Sequence, residues 1–401
     1  MPLKKCVKRF LSGVLLMLLL ASCQIFQPKR GGVDRLLLLY TVISPNLVDN
    51  IAQDVTEVKS SIYLPEYFDE KGSGNIMLFL EYKEGGVPVL KRLFRDEFGV
   101  ASEETLMEYE GRDGVEPELL GEILEYIETI FKPQEKGIIF SGHGQGWLPS
   151  GFFNSPVGYS GVSAYKEEVD PYAHLVKGFG YSQKKEMDII RMAQVIPSGF
   201  AYIIFDSCLM GGIEIMYELK NKTQYIISSP AEIMGSGFPY MQTVDYLFHP
   251  TASLLSRMRG VAESYYNYYS DVSTGGCTIS LVETGKLDQV AQAAKVIFDT
   301  DREKIKTIDV DNVQKYFRMN KHWFYDFISF VEEISSVPAQ TEALKKSLDD
   351  AVVVKFSTDK FLNLSIKEFS GVSTYIPSPP NAFLDDYYKS YQWNKDAQMI
   401  K

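Results

Sequence analysis

The sequence predicts an α/β fold around a mostly parallel central sheet, and three observations predict it. Short, near-continuous apolar runs (Arg35–Thr41, Gly137–Phe140 and Ala201–Phe205) have the pattern of strands buried on both faces. Segments with helical spacing of apolar residues alternate with them, as in parallel sheets whose strands are joined by covering helices. Two of the runs stop at distinctive chemistry: Ser141-Gly-His-Gly144 after one, Asp206-Ser-Cys208 after the other. In open sheets of this class, sites are built at the carboxyl ends of strands.

The N-terminus reads as an address. Lys4, Lys5, Lys8 and Arg9 precede an apolar run, Phe10–Ala21, that is too short to span a bilayer comfortably. It closes on Leu20-Ala-Ser-Cys23, which resembles a bacterial lipobox. The expectation is a signal peptide over 1–22, lipidation of Cys23 and a polar tether over 23–32, with the mature protein anchored outside the cytoplasm. Gln24 points away from inner-membrane retention and so toward the outer membrane. An ordinary signal peptide cut elsewhere is the alternative.

The elements follow in order. After the first strand, Asn46–Lys59 has helical spacing at Leu47, Ile51, Val55 and Val58. Asn75–Leu80 is a second strand, and Val87–Phe94 a more exposed edge strand interrupted by Lys91 and Arg92. Glu116-Pro117 opens a helix with proline at an early position, its core face formed by Leu119, Leu120, Ile123, Leu124, Ile127 and Phe131. The histidine strand comes next. Trp147–Gln183 has no clean period, and loops of that length are usually functional or disordered. A helix over Glu186–Val195 feeds the cysteine strand. A helix over Gly211–Leu219, a strand over Gln224–Ser229 and a glycine-rich loop over Pro230–Tyr240 follow, the loop placed to wall a cleft. Beyond it the pattern gives helices at Ala252–Tyr269, Leu287–Thr300 and Thr341–Asp350, helical stretches within Lys304–Glu333, and strands at Cys277–Val282, Ala351–Ser357 and Gly371–Pro377. A soft boundary near residue 270 divides a main domain, 33–270, from an α+β portion, 271–401, packed on it.

Composition limits the function. The chain is 45% hydrophobic with 25 tyrosines and 24 phenylalanines, which suits a packed globular body. A net charge of −11 without a basic stripe argues against a nucleic-acid partner. Of the four cysteines, Cys6 and Cys23 lie in the address segment, leaving Cys208 and Cys277 for the fold. Exported proteins usually pair such thiols, so a Cys208–Cys277 bridge stands beside the preferred reading of a functional thiol at Cys208 and an inert one at Cys277.

A thiol attacks a carbonyl as thiolate and needs a base or cation beside it. Of His143, His174, His249 and His322, His143 alone sits at a glycine-flanked strand end. The pair His143 and Cys208 therefore points to nucleophilic acyl transfer, with the N–H groups of Cys208 and Gly144 as oxyanion donors. A purely structural histidine is the competing reading. Asp206 faces the same side as Cys208 on an extended chain, and its charge would raise the thiol pKa. It is better suited to binding a cationic side chain, its alternative being a strand-end hydrogen-bonding role. Two ligands are too few for a metal site, so no metal or cofactor is expected.

Ser141-Gly-His-Gly-Gln-Gly-Trp147 together with Asp206-Ser-Cys-Leu-Met-Gly211 resembles the clostripain family of bacterial cysteine peptidases, in the caspase-like clan. The resemblance extends over Arg35–Asp54, Glu116–Trp147 and the tail from Gly371 to Trp393. It implies a caspase-like α/β/α sandwich, a His143–Cys208 dyad, a peptide or protein substrate, and cleavage after basic residues with Asp206 at the base of the S1 pocket. Some members use a further acid in the loop after the cysteine strand; here the tip Gly235-Ser-Gly-Phe238 has none, and Glu232 is the nearest. Some cut themselves between histidine and cysteine, an interval that holds Lys166, Lys177, Lys184 and Lys185 here. Some need calcium, yet no carboxylate-rich calcium loop occurs in this sequence. The alternative function is a non-catalytic lipoprotein that binds peptides or a partner in a silent cleft.

Overall fold

The computed structural model describes residues 33–63, 74–152, 172, 175–177, 186–319 and 323–401. The address segment with Cys23, together with His174, His322, Lys166, Lys184 and Lys185, lies outside the described residues.

A nine-stranded sheet organises the chain. Its strands are β1 (Val33–Ile43), β2 (Asn75–Lys83), β3 (Val89–Arg95), β4 (Ala101–Glu108), β5 (Pro133–Ser141), β6 (Phe200–Asp206), β7 (Thr223–Ser228), β8 (Thr278–Glu283) and β9 (Val352–Ser357). Their spatial order is β9-β8-β7-β6-β5-β1-β2-β3-β4. The five central strands, β7, β6, β5, β1 and β2, are parallel. Antiparallel pairs close both edges, β3 and β4 on one side and β8 and β9 on the other. The mostly parallel sheet is thus as expected, and the edges explain the interrupted apolar pattern at Lys91 and Arg92. β4 was not legible: its burial alternates between partial and exposed, so no apolar face marks it. After residue 270, β8 and β9 extend the same sheet, while Lys360–Phe361 and Leu364–Ser365 pair apart from it. The expected strand at Gly371–Pro377 shrinks to Ser373–Thr374, paired with Tyr325–Asp326 apart from the main sheet.

Leu36–Tyr40 and all of β6 are buried, which requires cover on both faces. The helices meet this in two packed groups. One comprises α1 (Val48–Ser61), α5 (Tyr240–Phe248) and α6 (Leu254–Tyr269). The other includes α2 (Pro117–Ile130), α3 (Ile189–Val195), α4 (Ile213–Glu218) and α7 (Leu287–Thr300).

The C-terminal portion is keyed to the two motifs. Glu214, at the start of α4, is fully buried and accepts hydrogen bonds from Thr374 Oγ1 (2.9 Å), the Tyr375 N–H (2.9 Å) and Tyr388 OH (2.8 Å). Trp147 donates its indole N–H to the Trp323 carbonyl at 3.0 Å and packs on Tyr375 at 4.5 Å between ring centroids. Loop ends that would otherwise be free are therefore anchored on both sides of the site.

Candidate functional site

The two strand ends singled out from sequence come together. β5 and β6 are parallel neighbours with Ser141 opposite Asp206, so His143–Gly144 and Ser207–Cys208 share one edge of the sheet. The approach is close: a Cβ on Gly144 would lie 2.2 Å from the Cys208 carbonyl oxygen and 3.0 Å from its nitrogen. Among the described residues neither the Gly144 nor the Cys208 N–H donates to a backbone carbonyl.

The chain turns sharply after Cys208. Leu209 has φ +63°, a left-handed conformation that costs a residue with a side chain about 1–2 kcal/mol. Backbone bonds from Leu209 N–H to the Ala231 carbonyl (2.9 Å) and from Gly211 N–H to the Ser229 carbonyl (2.8 Å) hold the turn. The same loop meets the sulfur: the Ile233 N–H donates to Cys208 Sγ at 3.1 Å, and Sγ lies 3.6 Å from the Ile233 carbonyl. Cys208 is fully buried, and its thiol pKa is raised, first by burial and then by the charge of Glu232. Cys277 is also a free, buried thiol, pushed up to about 12 by burial, so the bridge reading fails.

His143 is half-buried, with Nε2 3.0 Å from Asn46 Oδ1 and Nδ1 3.1 Å from the Lys177 carbonyl oxygen. Burial lowers its pKa. Among the described residues its ring reaches Cys208 through a relay of backbone groups: Lys177 O to the ring, Lys177 N–H to Ile233 O at 2.8 Å, and Ile233 N–H to the sulfur.

Asp206 is fully buried. Its Oδ2 accepts from Ser141 Oγ (2.9 Å), Tyr240 OH (2.8 Å) and the Lys177 ammonium, whereas Oδ1 is buried without a hydrogen-bond partner. Lys177 also donates to Asp54 Oδ2 at 3.0 Å and to Ser141 Oγ at 3.1 Å. Burial opposes the charge on Lys177, but Asp206 and Asp54 outweigh it and raise its pKa. Asp54 is pushed up to about 7, chiefly by burial and against the pull of Lys177. Just before Lys177, Val176 forms an antiparallel bridge with Met234, and the Gly235 N–H donates to the Leu175 carbonyl at 2.6 Å.

The sequence reading located His143, Gly144, Asp206 and Cys208, and the structure gathers all four. It left out Asn46, Asp54 and Tyr240 and gave Lys177 no contacts. Asp54 carried a signal, since it shares the buried stripe of α1 with Ile51 and Val58, where a carboxylate needs a partner. Glu232 is engaged elsewhere, in a buried two-point pair with Arg318 (2.7 and 3.0 Å). A small cleft of about 70 Å³ also opens against His143 and Gly144, walled by Val42, Phe140, Met187 and Met210. Among the described residues no group of three His, Cys, Asp or Glu side chains is arranged to hold a metal ion, and no helix is long and apolar enough to cross a membrane.

Comparison with known proteins places this geometry. Curated proteins give no sequence match. The inactive zymogen of a C11 protease from Parabacteroides distasonis superposes with a TM-score of 0.74 at 24% identity, covering 91% of this chain and 98% of that one. A secreted C11 cysteine protease from Bacteroides thetaiotaomicron gives 0.73 at 22% identity over 91% and 99%. The structure of a secreted C11 cysteine protease from that species in complex with an irreversible peptide inhibitor gives 0.72 at 23% over 91% and 98%. These likenesses carry the fold, that of the C11 proteases. The clostripain family, C11, matches residues 39–400, and the chain belongs to that family of cysteine peptidases.

Proposed function

We propose that the protein is an exported, lipid-anchored endopeptidase that cuts after lysine or arginine. Cys208 is the nucleophile, His143 the acid–base, the N–H groups of Cys208 and Gly144 the oxyanion donors, Asp206 the acid of the S1 pocket and Cys23 the lipidated residue. The observation that carries this reading is Lys177, which stands in for the P1 residue of a substrate. Its ammonium is on Asp206, its N–H on the Ile233 carbonyl and its carbonyl oxygen on His143 Nδ1. The antiparallel bridge of Val176 with Met234, beside a side chain seated in a pocket, has the form in which peptides add to an exposed edge.

In the reaction, the Cys208 thiol gives its proton to His143, and the thiolate adds to the carbonyl carbon as the oxygen gains charge beside the two N–H donors. The carbon–nitrogen bond breaks, and the leaving amine takes its proton from His143. Water, deprotonated by His143, then hydrolyses the thioester. Asn46, on the other ring nitrogen, fixes the orientation of His143.

With Lys177 seated, the thiol is buried and protonated, which is a latent state. A relative in this family is an inactive zymogen, and the same reading suits this chain. Lys177 is then the residue before the cut in self-processing.

The test uses the protein without residues 1–23, fluorogenic peptides ending in Arg, Lys, Asp or Leu, and a Cys208→Ala control, all run beside a denaturing gel. Cleavage after Lys or Arg that is lost in the control supports the dyad and Asp206. Retained activity in Cys208→Ala would sink the assignment, and cleavage after Asp or Leu would remove the role given to Asp206.

A further inference from the structure

We propose that Asp54 is the second acid of the S1 pocket and that, with Ser141 and Asp206, it makes the pocket select lysine over arginine. This rests on reading the Asp206 pocket as S1.

The pocket is assembled from three separate elements. Asp54 comes from the middle of α1, Ser141 from the end of β5 and Asp206 from the end of β6. Each supplies an oxygen to the Lys177 ammonium, from Asp54 Oδ2 at 3.0 Å, Ser141 Oγ at 3.1 Å and Asp206 Oδ2. An ammonium has three N–H donors on a compact point charge, and these three oxygens match it. A guanidinium has five donors on a rigid planar fork and pairs best with both oxygens of one carboxylate. The Lys177 ammonium uses Oδ2 of Asp206, which also accepts from Ser141 and Tyr240.

The end of the pocket is closed. Gly237 has φ +62°, and a Cβ there would lie 2.7 Å from Lys177 Nζ and 2.8 Å from Asp206 Oδ2. Tyr269 fixes that backbone by donating to the Gly237 carbonyl at 2.7 Å. A side chain at position 237 would therefore run into the lysine head and Asp206. The acid that the loop after the cysteine strand lacks at its tip is thus supplied from α1. Glu232, the loop's own acid, is held by Arg318.

The experiment compares two peptides that differ only in Lys or Arg at P1, using wild type, Asp54→Asn and Asp206→Asn. Circular dichroism confirms that each variant is folded. Wild type is expected to favour Lys by about tenfold or more in kcat/KM, because a mismatched polar head leaves pocket groups unpaired. Asp54→Asn is expected to lower the Lys value by about 10–100-fold and the Arg value less, bringing the ratio toward one. An unchanged ratio in Asp54→Asn, or equal losses on both peptides, would overturn the proposal while leaving S1 in place. Unimpaired cleavage by Asp206→Asn would instead overturn the pocket itself. Lys177→Arg gives a readout that needs no turnover. A lysine-shaped pocket lowers the Tm of this variant, and Asp54→Asn in the same background then costs less than it does in wild type. An unchanged Tm for Lys177→Arg means arginine fits as well as lysine and ends the proposal.

Discussion

Two buried ionic clusters flank Cys208, and they differ in what they join. Glu232 and Arg318 are nearly inaccessible and linked by two hydrogen bonds. The guanidinium meets both oxygens of the carboxylate, and the loop after β7 is tied to the C-terminal portion. The other cluster sets one ammonium against two carboxylates, Asp54 and Asp206. Without Lys177 these carboxylates would face each other unpaired. A carboxylate engaged at both oxygens is a fastening, since any new ion would have to displace a partner. Two carboxylates that share an ammonium arriving on a separate segment have the form of a receptor that its own chain has filled.

Experiments that break this comparison can be ranked by size. The largest effect is expected from Cys208→Ala, which should lower peptide hydrolysis by about ten-thousandfold or more, read by initial rates on Lys-ending peptides. Next is Glu232→Gln, which removes a buried counter-charge from Arg318. Its expected cost is about 3–5 kcal/mol in urea unfolding, with preference for a basic P1 residue retained. A loss of basic preference there would mean that the fastening is also part of the pocket.

Asp206→Asn is expected to lower kcat/KM on Lys-ending peptides by about 100-fold. Alkylation of Cys208 by a small uncharged reagent should change little by comparison. Equal losses in both assays would make Asp206 a support of the thiol instead of a pocket acid. The smallest effect concerns Cys277. With its pKa at about 12, the thiolate fraction at pH 8 is about one in ten thousand, so iodoacetamide should leave it unmodified in the folded protein and label it in denaturant. Rapid labelling in the folded state would contradict its burial.

The sequence by itself determined the sheet and the strand ends that carry His143 and Cys208. Arg35–Thr41, Gly137–Phe140 and Ala201–Phe205 are short apolar runs, and burial on both faces leaves a parallel central strand as the consistent solution. Because adjacent parallel strands end at the same edge, His143 and Cys208 were bound to meet once β5 and β6 were neighbours. Edge strands carry no such signal. β4 presents half-exposed polar residues, and the antiparallel pairing that places it depends on β3.

Tertiary structure alone decided the pocket. Asp54, Ser141, Lys177 and Asp206 are far apart in the chain, and each looks ordinary in its own segment. A charged group buried in an apolar setting is unfavourable until a partner arrives, and which partner arrives depends on how α1, β5, β6 and the loop after β7 pack. Local propensity encodes strands and helices, but the balance of two carboxylates against one ammonium exists only where those elements converge.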